Sequence, residues 1–110
     1  MEHISSYSQI YQIGHKAINT IFNTPVTVEE KIDGSQFSFG KINGELMCRS
    51  KNKDMIVGAH EKMFNLGVET IQRLEPILTP GWIYRGEFLA KPKHNALSYD
   101  RVPNGNIIIF

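Results

Sequence analysis

The tightest constraint on this chain is the dipeptide Asn43-Gly44, set between two runs of strand-forming residues, 36–42 and 45–49. Asn-Gly is the residue pair that a two-residue hairpin turn demands, because both central positions need positive φ. A two-residue turn fixes the register: Ile42 faces Glu45, Gly40 faces Met47, Phe39 faces Cys48 and Ser38 faces Arg49. Side chains alternate across a sheet, so Phe37, Phe39, Leu46 and Cys48 share one face, and Gln36, Ser38, Met47 and Arg49 share the other. The first face is the candidate core. The second is free to meet a ligand.

Around this hairpin the remaining elements follow from periodicity and breakers. Residues 26–32 read as a strand that runs into the turn Asp33-Gly34-Ser35, and 81–89 as a further strand. In the latter, Ile83, Arg85 and Glu87 lie on one face, with Trp82, Tyr84 and Phe88 on the other. Apolar spacings of three and four predict helices over 15–22 and 59–75, the first closed before Pro25 and the second by Pro76 and Pro80. Residues 51–54 read as a polar loop and 90–105 as a long one, with Pro92, Pro103, Lys91, Lys93 and His94. The class is α+β, an antiparallel-rich sheet with flanking helices.

Composition narrows the function classes. With 110 residues, 41% hydrophobic and 21% charged, the chain is expected to be one domain with a modest core. A net charge of +1 excludes a strongly basic nucleic-acid sleeve. A single cysteine, Cys48, fits a reducing compartment, and no signal peptide or long apolar run is present, so a cytoplasmic protein without a membrane role is expected. His3, His15, His60 and His94 lack metal-ligand spacing, and neither a Gly-x-Ser-x-Gly elbow nor a Gly-x-x-x-x-Gly-Lys loop occurs. The apolar strand at 106–110 stops without a turn or polar tail. The 110 residues are therefore expected to be one partial domain of a longer protein.

Lys31 is the candidate nucleophile. An unprotonated lysine amine attacks electrophiles such as a phosphate ester, whereas an ordinary surface lysine beside a turn does nothing. The ordered set Lys31-Ile32-Asp33-Gly34, Arg49-Ser50, Tyr84-Arg85-Gly86-Glu87-Phe88 and the closing strand at 106–110 resembles the covalent nucleotidyltransferase superfamily of polynucleotide ligases and capping enzymes. It is most similar to ATP-dependent RNA ligases. The resemblance runs from about Tyr7 onward and implies the N-terminal part of an adenylation domain. In it Lys31 takes AMP from ATP with Mg2+ present, passes it to a 5′-phosphate, and a 3′-hydroxyl then displaces AMP.

The resemblance also implies roles for further residues. Arg49 lies near the phosphates and ribose, Glu87 on the ribose hydroxyls, and Phe110 on the adenine. Glu29 or Glu30 lies near the adenine amino group, and Asp33 and Gly34 shape the turn beside the nucleotide. The implied partner is nicked or broken RNA, with DNA as the alternative, and the implied intact enzyme is a monomer. Later family motifs for metal and triphosphate fall beyond Phe110, so catalysis by these residues alone is expected to be incomplete. A capping guanylyltransferase and a non-catalytic nucleotide- or nucleic-acid-binding module are the competing readings.

Overall fold

The structure is a computed structural model and describes residues 3–110. Its centre is the hairpin. Strand β1 (Ser35–Ile42) turns through Asn43 and Gly44, whose φ values of 53° and 79° are those the turn requires, into β2 (Glu45–Arg49). The register is the expected one at every pair from Ile42 opposite Glu45 to Ser38 opposite Arg49.

Three more strands complete one antiparallel sheet. They are β3 (Asp54–Ile56), β4 (Ile83–Phe88) and β5 (Ile107–Ile109), in the spatial order β3-β2-β1-β4-β5. Strand β3 lies within and after residues expected to be only a polar loop. The Ser50 N–H donates to the Lys53 carbonyl at 2.9 Å, which closes a tight turn and swings the buried Met55 under Cys48.

On one face of the sheet Phe37, Phe39, Leu46, Cys48, Met55 and Phe88 form the core with Phe64, Val68 and Ile71. The last two come from helix α1 (Asn65–Leu74), flanked by 3-10 turns at Lys62–Phe64 and Glu75–Ile77. The phenyl rings of Phe37 and Phe64 stack at 5.2 Å, and Phe64 meets Phe88 at 5.3 Å. Helix α1 is shorter than the 59–75 expected, because Gly58, at φ 102°, and the Ala59 N–H to Ile56 carbonyl bond use the first residues in a turn.

Two expected elements are absent. Residues 15–22 are not an α-helix but contain only the 3-10 turns Lys16–Ile18 and Ile21–Asn23. Their apolar stripe finds nothing to pack on, Phe22 remaining 63% exposed, and a helix this short does not persist without tertiary burial. Residues 26–32 are not a strand. Both edges of β1 are already taken by β2 and β4, so the run does not pair with the strand it leads into, and Val28 is 89% exposed. Among the described residues no helix is long and apolar enough to cross a membrane.

Candidate functional site

The second face of the sheet carries the polar side chains. Ser38 on β1 stands opposite Arg49 on β2 and Arg85 on β4, and Gln36 stands opposite Glu87. The N-terminal segment crosses over this row. Arg49 Nη1 donates to the Ile4 carbonyl at 3.3 Å; Arg85 Nη1 donates to the Ser5 carbonyl at 2.6 Å and to Ser38 Oγ at 3.0 Å, while Nη2 reaches Ser5 Oγ at 3.0 Å. Ser38 is consequently buried despite its hydroxyl, with its hydrogen bond made. Arg85 and Glu87, neighbours on one strand face, form no ion pair among the described residues.

Beyond this strap two depressions share a rim. The first, of about 330 Å³, is bounded by Glu29, Glu30, Lys31, Glu87 and Phe110, with Tyr7, Ile10 and Ile108 supplying apolar wall. The second, of about 860 Å³, is bounded by Lys31, Gly34, Arg49, Lys51 and Glu87 with polar residues of the strap. Tyr7, Ile10, Lys31, Gln36 and Glu87 belong to both. One end is aromatic, the Tyr7 ring meeting Phe110 edge-on at 5.2 Å; the other is cationic. The structure thus brings together every residue singled out from sequence except Asp33.

Asp33 faces away, into the 90–105 loop. Its carboxylate accepts N–H bonds from Ala96 at 2.8 Å and Leu97 at 2.7 Å. The Leu97 N–H is the main cause that holds this carboxyl below its usual range, aided by the Ala96 N–H, Asn95 and the Lys31 charge and opposed by partial burial. Asp33 thus anchors the loop.

Glu87 is pushed the other way. Burial raises its carboxyl, Asp33 adds to this, and the Gly34 N–H, donated to Oε2 at 3.1 Å, and the Lys31 charge oppose it. Its ionised form, which a hydroxyl-binding role needs, therefore depends on those two partners. Gly34 is required here by close approach, since a Cβ at this position would stand 2.4 Å from the Phe88 carbonyl oxygen.

Lys31 itself is exposed and, among the described residues, makes neither a hydrogen bond nor an ion pair. It sits in irregular chain before β1, not at a strand end. Arg49 pairs with Asp54 at 3.3 Å, and its Nε is buried with no partner among the described residues. Cys48 lies in the core with its thiol pushed up to about 12, by burial and then by Asp54, which leaves it unreactive.

Tyr7, Ile10 and Lys51 were missed as site residues. Tyr7 and Ile10 precede the helix expected over 15–22, and no local pattern links Tyr7 to Phe110 at the other end of the chain. Among the described residues no group of three or more His, Cys, Asp or Glu is placed to hold a metal ion. No protein-family model matches the chain, and neither a curated protein nor a solved structure matches it.

Proposed function

We propose that this chain is the nucleotide-holding front of an ATP-dependent polynucleotide ligase of the RNA-joining kind, with Lys31 as the residue that accepts AMP. The observation that carries this reading is the position of Lys31 on the rim shared by an aromatic cleft and a cationic depression, its amine unpaired. A nucleoside fits the first and phosphates fit the second. Stacking of the base on the exposed Phe110 ring, against which Tyr7 already stands edge-on, would contribute on the order of 1 to 3 kcal/mol. Glu87, between the two, is suited to the ribose hydroxyls.

In the reaction the neutral Lys31 Nζ forms a bond to the α-phosphorus as the bond from that phosphorus to the bridging oxygen breaks. Pyrophosphate leaves, and the amine's surplus proton passes to water. Arg49 and Lys51 are placed to balance charge on the phosphates. The reaction calls for a Mg2+ ion that arrives with the nucleotide. When bound, that ion supplies further stabilisation of charge at phosphorus.

The test is incubation of the intact protein with Mg2+ and ATP labelled at the α-phosphate. A covalent label that resists alkali, is lost in acid and is absent in Lys31→Ala is expected, as for a phosphorus-nitrogen bond. No label overturns the ligase reading and leaves a nucleotide-binding module. A label from GTP in place of ATP would turn it into a capping guanylyltransferase.

A further inference from the structure

The loop at 90–105 leaves its basic residues Lys91, Lys93 and Arg101 exposed, while His94, Asn95 and Tyr99 reach back to residues 33–35. Tyr99 Oη accepts the Asp33 N–H at 2.9 Å, and Asn95 Nδ2 donates to the Gly34 carbonyl at 2.8 Å. His94 Nε2 and Ser35 Oγ lie 2.7 Å apart. With the Ala96 and Leu97 amides on the Asp33 carboxylate, each of the three consecutive residues Asp33, Gly34 and Ser35 is bonded to this loop.

The same turn is held from its other side by β4. Glu87 accepts the Gly34 N–H, and the Phe88 carbonyl leaves no room for a side chain on Gly34. The loop is braced in turn. The Tyr99 N–H bonds to the Pro92 carbonyl at 2.9 Å, and its neck is closed by the Leu89 N–H to the Asn106 carbonyl at 2.9 Å and Asn106 Nδ2 to the Leu89 carbonyl at 2.8 Å.

The tautomer of His94 follows from its two partners. Nδ1 accepts the Ala90 N–H at 3.1 Å and must keep its lone pair, so Nε2 carries the proton and donates it to Ser35 Oγ. That nitrogen cannot take a proton from Ser35. The pair is a strut and not a serine-base couple, and the ring sits edge-on to Phe88 at 5.8 Å.

Residues 24–32 make no hydrogen bond among the described residues, so the anchored point of the backbone nearest to Lys31 is Asp33. We propose that the 90–105 loop is the positioning element of the nucleophile, with His94, Asn95 and Tyr99 as positioning residues that set where the Lys31 amine stands between the two depressions. This rests on Lys31 being the nucleophile. Misplacing a reacting atom by about 1 Å costs on the order of 100-fold in rate, so loosening the anchor acts on the chemical step and spares binding.

Tyr99→Phe removes one acceptor and keeps the ring; His94→Gln keeps a donor toward Ser35 that His94→Ala lacks. In the intact protein, Tyr99→Phe and His94→Ala are expected to slow label transfer to Lys31 by roughly 10- to 100-fold. Nucleotide affinity should stay within about twofold, as a positioning role requires, and His94→Gln should recover part of the rate. Amide hydrogen exchange should rise at Asp33 and Gly34 and stay unchanged at Phe37 and Phe39. Unchanged exchange at Asp33 and Gly34 overturns the clasp whether or not Lys31 reacts. Faster exchange with an undiminished labelling rate overturns the positioning role. A wild-type protein that shows the clasp in exchange but takes no label overturns the ligase reading, and the positioning role falls with it.

Discussion

Glu87 is the residue at which burial and role pull in opposite directions. Its carboxyl is raised by burial, and only the Gly34 N–H and Lys31 favour the charged form. For an acid, a folded-state value above the unfolded one means that the native protein binds the proton more tightly. The contribution of Glu87 to stability therefore weakens as pH rises through the raised value and is regained as pH falls. Glu87→Gln keeps an acceptor for the Gly34 N–H and removes the buried charge. Its melting temperature at pH 7.5 is expected to equal or exceed that of wild type, with a flatter pH profile, while nucleotide binding drops. Glu87→Ala instead leaves the Gly34 N–H without its partner at a cost of about 1 to 3 kcal/mol. Melts of both variants across pH check this; a Glu87→Gln protein less stable than wild type at pH 7.5 would falsify it. The strand parity that turned Glu87 away from Phe88 was readable from sequence, since alternation needs no tertiary knowledge. The inward turn of Asp33 was not, because its partners Ala96 and Leu97 are backbone amides, which carry no residue signature.

At the scale of elements, the hairpin was legible and the arm before it was not, for one physical reason. Asn43-Gly44 sets its turn locally and the strand register follows, whereas the spacings in 15–22 and the alternation in 26–32 become a helix or strand only where a partner surface waits. Strand β1 is flanked on both sides, and α1 already covers the Phe37 face. The apolar residues of the arm are thus patterned without being core. Truncation separates the two cases. Phe37, fully buried and stacked on Phe64, should cost about 3 to 5 kcal/mol as Phe37→Ala. Phe22→Ala, at an exposed ring, should stay within about 0.5 kcal/mol. Urea unfolding of the two variants decides the matter. Comparable losses would mean that the arm packs on the body and that the helix reading of 15–22 deserves return.

At the scale of the whole molecule, the two ends of the chain meet over the sheet. The radius of gyration is 15.4 Å against about 13 Å for a compact domain of this length, as the exposed arm would lead one to expect. Yet residues 4–7 are tied down firmly. Arg49, Ser38 and Arg85 form a row across three adjacent strands, and the Ile4 and Ser5 carbonyls lie on it. This pins Tyr7 between the Arg85 guanidinium, 5.8 Å from its ring centre, and Phe110. Nothing in the sequence announces such a contact, because Arg85 and Ser5 are 80 residues apart and neither stands in a motif with the other. It makes Arg85 the residue on which the aromatic wall of the first cleft depends. A lysine cannot replace it, since its single ammonium cannot serve Ser38, the Ser5 carbonyl and Ser5 Oγ with the geometry of a planar fork. Arg85→Lys is therefore expected to speed amide exchange over residues 5–7 and to weaken binding of an adenine nucleotide by about tenfold, roughly the 1.4 kcal/mol of a loosened stacking partner. The hairpin amides should keep their protection, because the core lies on the opposite face. Isothermal titration with ATP and exchange measured on the same sample test both halves. Tighter binding after the strap is freed would reverse its assignment, from a wall of the site to a cover over it.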